Sequence, residues 1–130
     1  MGHSEMYQPS DAQLEILQVL WENGPSTVRF VHETLAAEKQ IGYTTTLTQM
    51  QRMTKKGMIE RVGKSQPHQY AACVQEGEVQ QTMLGRLRDT AFKGSAMRLV
   101  MHALGQEEVD ANELAKLEEW LAEQKRNRHE

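Results

Sequence analysis

After Ser10, the apolar residues Leu14, Leu17, Leu20 and Trp21 recur at helical spacing until Asn23-Gly24-Pro25 stops the run. Ser10 with Gln13 three residues on has the form of a capping box, and the glycine-proline pair ends the element, so a first helix is predicted between them. Ser26 or Thr27 can cap a second helix, with Val28, Val31 and Leu35 on one face and Phe30 beside them, fading before Gly42. A third helix is predicted from about Thr44 to Lys56, with Gly57 available for the left-handed turn beyond it. Met58 to Val62 and His68 to Ala72, joined by the turn-like Gly63-Lys64-Ser65-Gln66-Pro67, read as a short hairpin. Three helices followed by a hairpin predict a winged helix-turn-helix fold, mainly α with a small β-hairpin wing.

The third helix has two unlike sides. Thr46, Leu47, Met50 and Met53 form one stripe, the width a core-facing side needs. Opposite it, Thr45, Thr48, Gln49, Arg52 and Lys56 project together, with Lys55 beside them. Threonine and glutamine are mediocre helix formers, so helix propensity does not account for their concentration here. Their chemistry fits a DNA major groove. Hydroxyl and amide groups bond base edges, the threonine methyl packs on thymine, and arginine or lysine meets guanine or phosphate. An amphipathic helix with an ordinary solvated outer side remains the alternative.

The last third continues the helical period in three segments. Val79, Met83, Leu84, Leu87 and Ala91 mark one helix; Leu99, Val100, Ala103 and Leu104 a second; Leu114, Leu117, Trp120 and Leu121 a third. Lys93-Gly94-Ser95 separates the first two, with Ser95 as amino cap. Helices so short and separated cannot bury these rows alone. Reciprocal packing of the same surface on a second copy solves the problem. A monomer whose helices pack on its own first domain is the alternative.

Charge sharpens the division. The net charge of −3 argues against nucleic acid only if it is spread evenly, and it is not. Residues 44–70 hold five lysines and arginines against Glu60 alone, a local +4, whereas residues 76–130 hold eleven carboxylates against eight cations, a local −3. The chain has a basic middle and an acidic final third. No apolar run approaches the roughly 20 residues that cross a bilayer, and the amino terminus lacks a signal pattern, so a soluble, cytoplasmic protein is expected.

Three stretches, "LEILQVLWENGPSTVRFVHETL", "YTTTLTQMQRMTKKGMIERV" and "FKGSAMRLVMHAL", resemble in order and spacing the signature blocks of the penicillinase repressor (BlaI/MecI/CopY) family of transcriptional regulators. The resemblance runs from about Ser10 to Gln124. It implies a repressor without enzymatic activity that binds a palindromic double-stranded DNA operator as a homodimer, with the carboxyl-terminal helices making most of the dimer contact. The family's recognition helix corresponds to Tyr43 through Lys56, adding Tyr43 and Thr44 to the DNA-binding set. Its wing corresponds to Gly63 through His68, adding Lys64, Ser65 and Gln66. Phe92, which opens the third block, joins the dimerisation set. The implied organisation is a flexible leader over residues 1–9, a winged-helix DNA-binding domain over 10–73 and a helical dimerisation domain over 74–130.

The chain departs from the family where release is concerned. Inducible members carry an Asn-Phe pair cut by a membrane sensor-protease; the matching residues here are His102 and Ala103. Copper-responsive members carry a Cys-x-Cys pattern near the carboxyl terminus, and no cysteine follows Cys73 here. Cys73, with no second cysteine, is expected as a small buried or half-buried hydrophobe. His3, His32, His68, His102 and His129 lack the spacing of a helical metal site, so no metal or other cofactor is expected. Trp21 and Trp120 read as core anchors. Two other functions stay open: a ligand-responsive one-component regulator with a pocket between domains, and a winged-helix protein-interaction module without DNA binding.

Overall fold

The computed structural model describes residues 8–64 and 66–128. Of the expected leader only Gln8 and Pro9 fall within them, and Pro9 is buried. Helix α1 spans Asp11–Asn23 and begins with the predicted box: Gln13 N donates to Ser10 Oγ at 3.2 Å and Ser10 N to Gln13 Oε1 at 3.0 Å. It ends at Gly24, whose φ of 76° and ψ of −163° only glycine adopts readily.

Strand β1 is Ser26–Thr27, and helix α2 is Val28–Ala36, capped by Thr27 Oγ1 accepting from Phe30 N at 3.0 Å. Helix α3 spans Tyr43–Lys55. Beyond it, Gly57 at φ 81° lets Met58 N donate to Met53 O at 2.9 Å and Gly57 N to Thr54 O at 3.1 Å, a Schellman closure that turns the chain into the hairpin. Strands β2 (Ile59–Val62) and β3 (Gln69–Ala72) pair antiparallel with Ile59 opposite Ala72 and Arg61 opposite Tyr70. β1 adds to the other edge of β3, giving the order β1-β3-β2. The sequence pattern contains no sign of β1, because two residues carry no period and their pairing is fixed by a strand far along the chain.

Ile16, Leu17, Val19 and Leu20 of α1 meet Val31 of α2, Met50 and Met53 of α3, and Met58 and Ile59 at the hairpin. Val74 and Val79 complete this core, so the start of helix α4, Glu76–Thr90, belongs to it. Val79, expected in the apolar row of the acidic third, is 1% exposed in the winged-helix core. Trp21 Nε1 donates to Val74 O at 2.9 Å, fastening this segment to α1.

The chain divides into two compact units, Met1–Arg86 and Leu87–Glu130. The second holds the end of α4, helix α5 (Ala96–Gln106) and helix α6 (Ala111–Arg128). Ser95 Oγ caps α5 by accepting from Arg98 N at 3.1 Å, and Asp110 Oδ1 accepts from Glu113 N at 2.8 Å at the start of α6. No residue of α5 or α6 is buried. Trp120 is therefore no core anchor within one chain: it is 55% exposed, because α6 has no buried side to receive it. Cys73 also departs from expectation. It is exposed just past β3, where Val74 instead takes the inward position.

Candidate nucleic-acid interface

The two sides of α3 separate as their period requires. Thr46, Met50 and Met53 are at most 1% exposed and Leu47 is half-buried against the core. On the other side Thr44, Thr45, Arg52, Lys55 and Lys56 are exposed, as is Tyr43. Thr48 and Gln49 are half-buried. Gln49 Oε1 accepts from Nε2 of the buried Gln13 at 3.4 Å, so the residue that closes the α1 capping box also touches the polar stripe of α3.

The entry angle of α3 is set by the segment before it. His32 Nε2 donates to Ile41 O at 3.0 Å, and its ring meets Tyr43 edge to face at 5.7 Å. Gly42, the residue before α3, offers no side chain to cap the helix, and the first turn carries no carboxylate. Its outward N–H groups and positive dipole end are suited to an anion.

On the wing, Lys64 and Gln66 are exposed, and Ser65 lies outside the described residues. A groove of about 400 Å³ runs between the start of α2, the start of α3 and the wing, lined among others by Arg29, Tyr43, Leu47, Gln66, His68 and Tyr70. Arg29 and Arg61, both exposed, extend the basic surface beyond the sequence-predicted set. Arg61 lies two residues after the buried Ile59 but is itself exposed, and its charge was the one signal of it in the sequence.

The Cys73 thiol is pushed up from its ordinary pKa, first by desolvation and then by the Glu60 carboxylate, which disfavours the thiolate. Among the described residues no three His, Cys, Asp or Glu side chains gather as a metal site; His3 and His129 lie outside them. No helix among them is long and apolar enough to cross a membrane.

A helix-turn-helix closed by a small antiparallel sheet, with a polar and cationic outer side on α3, defines a winged helix-turn-helix transcriptional regulator. The penicillinase repressor family profile matches residues 9–123, and the chain belongs to that family of transcriptional repressors. It is similar to the transcriptional regulator BlaI of Mycobacterium tuberculosis, at 33% identity over 115 residues that cover 87% of this chain and 82% of the relative. It is also similar to the methicillin resistance regulatory protein MecI of Staphylococcus aureus, at 23% identity over 114 residues, 88% of this chain and 93% of that protein. Both relatives are named as regulators. Among solved structures, a MarR family protein from Bacillus stearothermophilus superposes with a TM-score of 0.50 over 95% of this chain and 78% of its own, and at 20% identity it shows the fold alone.

Proposed function

We propose that the chain is a sequence-specific DNA-binding repressor that acts as a homodimer on a palindromic operator. The observation that carries this reading is the outer side of α3, where Thr45, Thr48, Arg52 and Lys56 stand opposite the buried Thr46, Met50 and Met53. A surface used for protein contact usually offers aromatic or aliphatic anchors, and this one offers hydroxyl, amide and cationic groups. In this reading Tyr43 to Lys56 enters the major groove, and Lys64 and Gln66 of the wing meet the backbone beside it. The DNA-binding domain runs from residue 10 past the expected boundary at 73, since Val74 and Val79 pack in its core, and the dimerisation domain follows it.

The dimer rests on apolar side chains left in water by a single chain. Met83, Leu84 and Leu87 on α4, Val100 and Leu104 on α5, and Leu114, Trp120 and Leu121 on α6 are all at least 37% exposed. Phe92, Leu99 and Leu117 are half-buried and Ala103 is exposed. Each Å² of such surface removed from water contributes about 25 cal/mol, and isologous pairing of the same rows is the symmetric way to remove it. Repression is then steric: a dimer seated over a promoter excludes polymerase. Release by a membrane sensor-protease would have to act at His102 and Ala103, inside helix α5.

Thr48→Ala and Arg52→Ala are each expected to lose roughly 1–3 kcal/mol of binding on a duplex selected by the wild-type protein, and little on random DNA. Competition titrations on both duplexes check this. Equal losses on the two would remove these side chains from base readout.

A further inference from the structure

The wing carries a polar cluster that the recognition helix does not explain. Arg61 Nη1 approaches His68 Nε2 at 3.2 Å, and Gln66 Nε2 approaches the same ring nitrogen at 3.3 Å. A guanidinium N–H and an amide N–H can only donate, so His68 Nε2 is the acceptor for both. The imidazole is then neutral, and its one hydrogen sits on Nδ1. That nitrogen is buried and has no partner among the described residues.

The hairpin register explains where the cluster points. Arg61 stands opposite Tyr70, and His68 lies two residues before Tyr70, so alternation puts all three on one face. Ile59, two residues before Arg61, is 1% exposed, so this is the face turned to the core and α3. Beyond the core edge, that face opens into the groove shared by Tyr43 of α3 and His68, Gln66 and Tyr70 of the hairpin. Arg61 has no carboxylate partner among the described residues, where the ion pairs are Lys39 with Glu15 and Arg88 with Asp89. Its guanidinium is held by an uncharged acceptor, which restrains its direction while leaving its full charge available to a phosphate.

We propose that His68 is the positioning residue of the wing: through Nε2 it holds the Arg61 guanidinium and the Gln66 amide toward the sugar-phosphate backbone beside the groove that α3 occupies. This rests on the operator-binding reading above. It makes Arg61 a backbone contact and gives His68 its role through that side chain, without touching DNA.

Two measurements on the full-length protein test it. Nitrogen-15 spectra of the free protein should show His68 as the neutral Nδ1–H tautomer; the Nε2–H tautomer would overturn the assignment without reference to DNA. Binding is then titrated on the duplex that the wild-type protein enriches from a random library. R61A should weaken binding roughly 10-fold and reduce the salt slope by about one. H68A should weaken it by about 3–10-fold, H68Q, whose amide oxygen can replace the acceptor, should restore it to within about 2-fold, and R61A/H68A should bind no worse than R61A. H68L fills the space without an acceptor and carries the comparison if H68A fails to fold. Wild-type affinity in H68A or H68L, additive losses in the double variant, or no rescue by H68Q would each overturn the role of His68 while leaving operator binding intact. A wild-type chain that enriches no duplex overturns the operator reading itself.

Discussion

A chain ending at Thr90 is expected to remain folded, to lose its partner, and to bind a palindrome some 10²–10⁴-fold more weakly than the full-length protein. The folding half of this expectation comes from Val74 and Val79, which are buried in the winged-helix core, and from Val74 O, which accepts the Trp21 indole N–H. A cut after Ala72 removes all three. Burying each valine contributes about 1.5–3 kcal/mol, a large part of a stability that for such domains is about 5–15 kcal/mol. The shorter piece should therefore be unstable where the longer one is not. The binding half comes from tethering. In the proposed dimer the two α3 helices would meet successive major grooves roughly 34 Å apart, and the second contact would form at high effective concentration. Sedimentation of the truncated and full-length chains, with titrations on one and two half-sites, separates the two halves. Full-length protein that stays monomeric at micromolar concentration, or a Thr90-ended chain with intact two-site affinity, would defeat the proposal.

Leu17→Ala is expected to cost about 2–5 kcal/mol of folding stability, read as a lower midpoint in urea unfolding. Leu17 is fully buried where α1 meets α2, α3 and the hairpin, so truncation leaves a cavity bounded by several elements, not a notch that one side chain can fill. Leu17→Met, which nearly conserves volume, should cost less than about 1.5 kcal/mol. Similar midpoints for the two variants would mean that the site collapses readily and that the core is more loosely specified than its burial indicates.

Local chemistry made much of the fold readable in advance. Ser10 with Gln13, Asn23-Gly24-Pro25, Thr27 and Gly57 each act within a few residues, and each marks the boundary it predicts. The period of α3 likewise separates Met50 and Met53 from Arg52 and Lys56 correctly, because a helix forces that separation wherever it packs. What stayed hidden depends on distant partners. β1 exists only because β3 lies beside it, and Gln49 meets Gln13 across two helices. Val79 has the same period as Met83 and Leu87, yet it turns into the first core while they remain in water, since periodicity names a face and not its occupant. Arg61 was visible as charge but not as part of a wing cluster, because its partner His68 is reached only through hairpin register.

The two tryptophans stand in different solvents. Trp21 is half-buried with its indole N–H bonded to Val74 O, and Trp120 lies in water on α6. Under the proposed dimerisation, each indole is thus an optical reporter of a separate equilibrium. In a Trp21→Phe protein, dilution through the dimer range should move the remaining emission to longer wavelength as Trp120 is released to water. In a Trp120→Phe protein the same dilution should leave the spectrum still, and denaturant should move it only when the winged helix unfolds. Assembly and folding, which most probes report as one curve, become two colours in one chain.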